Sequence, residues 1–282
     1  MSRITSSVRR LGRTPVLGPV LMGVYRSSIA ARYLARPLRH VPQWLAQSSE
    51  YTNFTYDLTA TNKRYLAAFV AQATGIPRPT VAQYIAEIDE DAALRAHIVS
   101  ATQASVERAF SDDTGFLAKR LGWYALARIT KPRIVVETGV EKGLGACVMA
   151  TALSRNAAEG SPGHYYGTDI QPRAGYLFTE PYNKVGEILY GDSIESLRGL
   201  DETVDLFIND SDHSAEYEAA EYQTIKSKLS DRAWIIGDNA HVTDNLLNFA
   251  DANGWAFSFF AEEPANHWYP GGGIGLAWRA HP

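Results

Sequence analysis

Acid is missing from the first 49 residues. Eight arginines and no aspartate or glutamate precede Glu50, so in a chain of net charge −4 the remainder carries about −12. A body that acidic repels phosphates, which argues against nucleic acid as a partner. Cysteine is nearly absent too. Cys147 stands alone, so no intrachain disulfide can form and a reducing compartment is expected. It falls in an apolar stretch, where a small buried residue is the plain reading. No apolar run reaches the ~18 residues of a membrane span. Internal repeats are lacking, and so is the G-x-G-x-x-G of a dinucleotide turn. What remains, 45% hydrophobic and 21% charged residues over 282 positions, is the make-up of a globular protein with a sizeable core.

Three regions follow from the pattern. Residues 1–60 are an Arg-rich arm with scattered Val, Leu, Ile and Tyr. Such a segment could lie on an anionic membrane surface, wrap a second copy or another subunit, or stay partly disordered. Residues 61–131 have helical spacing (Tyr65, Leu66, Phe69, Val70), broken at Gly75-Ile76-Pro77 and resumed over Val81–Ile88, Ala92–Phe110 and Phe116–Ile129. Lys131-Pro132 ends the last of these helices. This region is expected to cap the ligand edge of the domain that follows. Residues 132–282 alternate strands with helices.

The organising stretch is Val135–Gly145, V-V-E-T-G-V-E-K-G-L-G. A β-branched run ends in Glu137, glycines follow at 139, 143 and 145, and an apolar helix begins. Strand, glycine turn and helix make a nucleotide site at the carboxyl edge of a parallel sheet. Further strands are expected at 165–169, 187–190, 204–209 and 234–237, each ending in an acid or an acid-bearing turn. The stretches 255–260 and 275–279 would form a closing antiparallel pair. The expected fold is therefore α/β: a Rossmann-like, seven-stranded, mostly parallel sheet with an antiparallel last strand, plus an N-terminal helical cap. All the polar clusters fall on one rim, where open α/β sheets bind ligands.

The spacing acid-x-G-x-x-x-G-x-G resembles motif I of the class I S-adenosylmethionine (SAM) methyltransferases. That resemblance implies a SAM site built from Glu137, Thr138, Gly139 and Gly143, with Asp169 on the ribose diol, Asp192 and Ser193 at the adenine, and Asp210 alongside. An acid accepting two hydroxyl hydrogen bonds suits the diol. As plain structural roles, Asp192 would cap a helix and Asp169 close a turn.

A second constellation joins Asp210, Asp212 and His213 at one strand end to Asp238-Asn239 at the next. Neighbouring strands lie ~4.8 Å apart, so Asp210, Asp238 and the Asn239 carbonyl could converge on a hard cation such as Mg²⁺. His213 or Asp212 would then take a hydroxyl proton, or Asp212 would cap a helix and His213 donate from behind. V-D-L-F-I-N-D-S-D-H-S followed by W-I-I-G-D-N is similar to the cation-dependent O-methyltransferases, including the macrocin and mycinamicin sugar enzymes and, more distantly, the catechol type. The likeness covers about residues 116–279. It implies Mg²⁺ on Asp210, Asp238 and Asn239, and a small-molecule hydroxyl as acceptor. SAM implies a cytoplasmic protein, and Pro15, Gly18, Pro19 and Gly23 interrupt what would otherwise look like an export signal after Arg9-Arg10. The alternatives are a metal-independent methyltransferase on nitrogen or carboxylate, a metallohydrolase or oxygenase, and a non-catalytic SAM-fold subunit. Only one histidine stands in the cluster, which suits iron or zinc poorly.

Overall fold

The computed structural model describes residues 10, 12–15, 17–52 and 54–279. They fall into two compact units: the residues up to Ser48 together with Asn266–Pro270, and Ser49–Ala265 with the residues from Gly271 onward.

In the first unit the arm is helical: α1 spans Leu17–Leu38 and α2 spans Val41–Gln47. Its Arg3 and Arg9 lie outside the described residues. Gly18 is the one buried residue of α1, while Leu17, Val20, Val24, Tyr33, Leu34 and Leu38 are exposed. Trp44 of α2 meets Trp268 edge to face at 5.3 Å. Among the described residues no helix is long and apolar enough to cross a membrane.

The second unit is built on a seven-stranded sheet. Its strands are β1 (Ile134–Thr138), β2 (His164–Asp169), β3 (Gly186–Tyr190), β4 (Val204–Asn209), β5 (Leu229–Asp238), β6 (Ala256–Ala261) and β7 (Gly273–Trp278), in the order 3-2-1-4-5-7-6. The strands β1 to β5 pair in parallel, and β7 runs antiparallel to both of its neighbours. This is the Rossmann-like, mostly parallel sheet with a reversed last strand that the sequence announces. The closing strands pair with each other as expected, and β7 lies between β5 and β6. The reason is burial: Gly273–Ala277 are all buried, whereas β6 is mostly half-exposed and suits an edge. Strand β5 also starts five residues earlier than its apolar run: Leu229 pairs with Val204, and the little-buried Ser230-Asp231-Arg232 lie across a break in register before Trp234.

The crossover helices α7 (Leu144–Ala158), α8 (Ser193–Gly199), α9 (Ala215–Ile225) and α10 (Asn245–Asn253) follow β1, β3, β4 and β5. Phe207, Ile235, Tyr222, Leu246 and Phe249 form the core between the sheet and α9 and α10. Strand β4 is buried along its whole length, as expected of a central parallel strand covered on both faces.

The helical region supplies α3 (Ala60–Thr74), α4 (Arg78–Asp89), α5 (Ala92–Ala104) and α6 (Arg120–Thr130). The Thr59 hydroxyl caps α3, and Gly75 ends it in the left-handed region at φ 70°. Asp91 caps α5, which stops at Ala104 instead of running to Phe110; a single 3₁₀ turn, Val106–Ala109, follows. Helix α6 starts at Arg120, later than its apolar pattern, because Gly115 and Ala118 take positive φ just before it. From Leu121 to Arg128 every residue of α6 is buried. It packs on α7, α3 and α4, and α3 reaches β6. The part of this region that meets the sheet's rim is the start of α6, where Lys119 reaches Asp238 and Arg120 reaches Asp210.

Candidate active site

The rim divides into two halves. The first comprises the tips of β1, β2 and β3. Gly139 leaves β1 at φ 80°, and its amide donates to the Thr168 carbonyl at 2.9 Å. A Cβ there would run into the backbone of Asp210 and Ser211, so glycine is required on both counts. Gly143 begins α7 with φ 92°. Gly145 lets Glu137 tuck beneath the turn, since a Cβ at 145 would overlap the carboxylate.

Glu137 itself is buried and accepts a hydrogen bond from the Tyr165 hydroxyl at 2.7 Å. Burial pushes its pKa up to about 7, against the Tyr165 hydrogen bond and the Arg120 charge, which favour the anion. Thr138 is buried beside it, with its hydroxyl donating to Glu221 at 3.2 Å.

Asp169 accepts the Glu141 amide on one oxygen and the Gln171 amide on the other, both at 2.8 Å. Each carboxylate oxygen has a further lone pair to offer. Asp192 caps α8 by accepting from the Glu195 amide at 3.0 Å, and it takes the Tyr217 hydroxyl at 3.0 Å. Ser193 is buried, donates to Glu221 and lies 2.9 Å from the Tyr217 hydroxyl. The capping and turn-closing roles open in the sequence are thus both realised in the fold.

Glu221 on α9 was not legible as a site residue. It is fully buried and gathers Thr138, Ser193, Asn209 and Ser211 around one carboxylate. Burial raises its pKa, with those four hydrogen bonds pulling the other way. It ties the tips of β1 and β4 to the start of α8.

The second half comprises the tips of β4 and β5. Asp210, His213 and Asp238 each bring one donor atom within 4.8 Å of the others. The His213 Nε2 stands 4.0 Å from Asp210 and 3.2 Å from the Asn239 amide nitrogen. Asn239, at φ 49°, turns its side-chain amide to His213, which joins Asp210 and Asp238 in the converging trio. Asp212 is exposed and folds back on its own turn, accepting the Ser214 amide at 3.0 Å and the Ser214 hydroxyl at 3.3 Å. It closes the turn ahead of α9, whose N-terminal residue Ser214 makes no side-chain cap of its own.

Two cations complete this half. The Lys119 ammonium contacts both Asp238 oxygens, at 2.5 and 2.7 Å. The Arg120 guanidinium stands 3.5 Å from Asp210 and lies over the Trp123 ring. Burial opposes both charges, but the two aspartates more than offset it, so Lys119 and Arg120 stay above their ordinary values. Of the two carboxylates, Asp210 is the more basic: burial and the neighbouring Asp238 charge raise it well above the usual range. Asp238 is held low despite its burial, chiefly by Lys119. The sequence signal for these cations was a Lys-Arg pair directly before an apolar helix. Nothing local marks such a pair as buried.

Residues 136–240 match a family model described as a methyltransferase domain. Among solved structures, the cofactor-bound protein Rv0187 from MTB is 18% identical, aligned over 68% of this chain and 92% of that one, with a TM-score of 0.50. An O-methyltransferase from Bacillus cereus in complex with SAH is 18% identical over 70% of this chain and 96% of that one (TM-score 0.49). A methyltransferase from Geobacter sulfurreducens is 19% identical over 66% and 89% (TM-score 0.48). At such identities the likeness is one of fold. No curated protein matches the chain. The span from β1 through β5 thus matches a methyltransferase domain and lies on a Rossmann-like sheet.

Proposed function

With a methyltransferase domain as the premise, we propose that the chain transfers a methyl group from SAM to a hydroxyl of a small molecule. The observation that carries this reading is the placement of the glycine turn and Asp169 on one half of the rim, with Asp210 and His213 on the adjoining strand tip. When bound, SAM supplies an electrophilic methyl on a sulfonium. The backbone from Gly139 to Gly143 would cradle its amino-acid portion, in a turn that a Cβ at 139 would close. Asp169 would accept from the ribose diol, and the Asp192-Ser193 turn would face the adenine.

On the acceptor side, His213 or Asp210 would take the hydroxyl proton. The acceptor oxygen would then form its bond to the methyl carbon as the carbon–sulfur bond breaks and that electron pair returns to sulfur. The proximity of the two halves supplies most of the acceleration such a transfer needs. Sugar and phenol hydroxyls are the proposed acceptor class, on the resemblance alone.

The Mg²⁺ implied by the same resemblance does not fit this arrangement. Asp238 gives both oxygens to Lys119, and Arg120 attends Asp210. No step is assigned to a metal.

Calorimetric titration with S-adenosylhomocysteine tests the reading. The chain should bind it, and Asp169→Ala should weaken binding by about tenfold or more through the lost diol contacts. Absence of binding to the wild-type protein would overturn the proposal.

For the arm, we propose a peripheral contact with an anionic membrane surface. Supporting it are Arg26, Arg32, Arg36 and Arg39 along or just beyond α1, the lack of any acid before Glu50, and the exposed apolar residues of α1. The full chain should float with vesicles rich in phosphatidylserine and not with neutral ones. Flotation that ignores lipid charge would overturn the electrostatic reading, and a salt-resistant dimer without flotation would point to self-association instead.

A further inference from the structure

A cation in the acceptor half of the rim has an unusual origin, because it comes from the protein. Lys119 and Arg120 stand at the N-terminal end of α6, where the helix dipole disfavours positive charge. Lys119 is buried and Arg120 half-buried, which costs a charged group hydration. An arrangement that opposes both effects needs a strong compensating partner, and the partners are Asp238 and Asp210.

The lysine is also fixed in place rather than reaching in from solvent. Its backbone amide donates to Glu262 at 3.0 Å, and the other Glu262 oxygen takes the Tyr56 hydroxyl at 2.9 Å. Ala118, just before it, holds the left-handed conformation that turns the chain into α6. From this framework the ammonium spans both oxygens of Asp238. That carboxylate sits at the end of β5, beside Asp210 at the end of β4. These are the two groups on which a divalent ion would have to rest.

We propose that Lys119 is the resident cation of this site. Its ammonium occupies, on Asp238, the place a divalent metal would take, and with Arg120 it supplies the positive charge facing the acceptor oxygen. Lys119 acts as a positioning residue: it holds Asp238 as an anion and leaves Asp210 and His213 to face the acceptor. Two cations already balance two carboxylates, so a divalent ion entering here would meet no net attraction. The proposal rests on the methyl-transfer reading for its chemistry, but its test does not need turnover.

MgCl₂ is titrated calorimetrically into the full chain at constant ionic strength, alongside Lys119→Met and Lys119→Arg. Binding of S-adenosylhomocysteine is measured on the same samples. The wild-type protein and Lys119→Arg should give no saturable Mg²⁺ binding. Lys119→Met, which leaves two carboxylates and His213 with one cation fewer, should gain it, at least about tenfold tighter than wild type. A purely structural lysine would not confer that gain when removed.

Mg²⁺ binding to the wild type as tight as to Lys119→Met would overturn the proposal, and so would its absence from both. Should Lys119→Met fail to fold, the wild-type titration decides alone: saturable Mg²⁺ binding refutes the assignment and its absence upholds it. Loss of S-adenosylhomocysteine binding throughout would strike the methyl-transfer reading and leave the metal result standing.

Discussion

The two halves of the rim hold their carboxylates by different means. In the β1–β3 half, Asp169 and Asp192 are satisfied by amides two to three residues onward or in the adjacent turn, and Glu137 by a tyrosine on the neighbouring strand. In the β4–β5 half, Asp210 and Asp238 are balanced by cations that lie 90 and 119 residues earlier in the chain. One half is assembled from local turn chemistry; the other is completed by a helix from elsewhere. Damage to the first should therefore act through backbone geometry, and damage to the second through unpaired charge.

The sharpest break in this contrast is Gly139→Ala. It adds a methyl against the Asp210 backbone and forces a left-handed φ, so denaturant titration should show a loss of at least about 3 kcal/mol. Next comes the ion pair. Asp238→Asn strands a buried ammonium, and Lys119→Met strands a buried carboxylate; each should cost about 3 kcal/mol in the same measurement. The double variant should recover much of that loss, because neither charge remains unpaired. Single losses that simply add would show that the two groups are not paired in solution.

Glu137 offers a test by pH. Its pKa of about 7 in the fold lies above its ordinary 4.5. The folded protein therefore binds more protons than the unfolded chain between those values, and stability falls as pH rises through that window. Relative to Glu137→Gln, the wild type should be equally stable near pH 4 and up to roughly 3 kcal/mol less stable above pH 7.5. A parallel pH profile for the two proteins would remove the burial argument. The smallest effect belongs to Asp192→Ala, which loses the α8 cap and should cost about 1 kcal/mol while leaving Mg²⁺ titrations unchanged.

The same contrast governs what could be read from the sequence. Strand, glycine turn and helix announce themselves locally, so the sheet, its reversed last strand and the acids at the strand tips were all legible. Gly139 and Gly143 stand where the turn needs them. The capping duty of Asp192 was visible as an alternative, and the hydrogen bonds adopt it; Asp212 closes a turn ahead of α9 instead of capping it. Lys119 and Arg120 were passed over because charged residues at a helix start usually face water. Only the packing of α6 against α7, α3 and α4 takes them out of it. Glu221 escaped for a similar reason: an acid within A-E-Y-E-A-A-E-Y looks like one of several on a solvated helix. The insertion of β7 beside β5 was likewise invisible, since pairing order is set by burial across the sheet and not by chain order.

Helix α6 has one more consequence. A shortened chain begun at Ile134 would retain every carboxylate along the strand tips while shedding both of their counter-charges. Such a fragment would carry a naked patch of acid along those tips. Trimming to the family-matched segment would thus expose acids that the whole chain keeps paired.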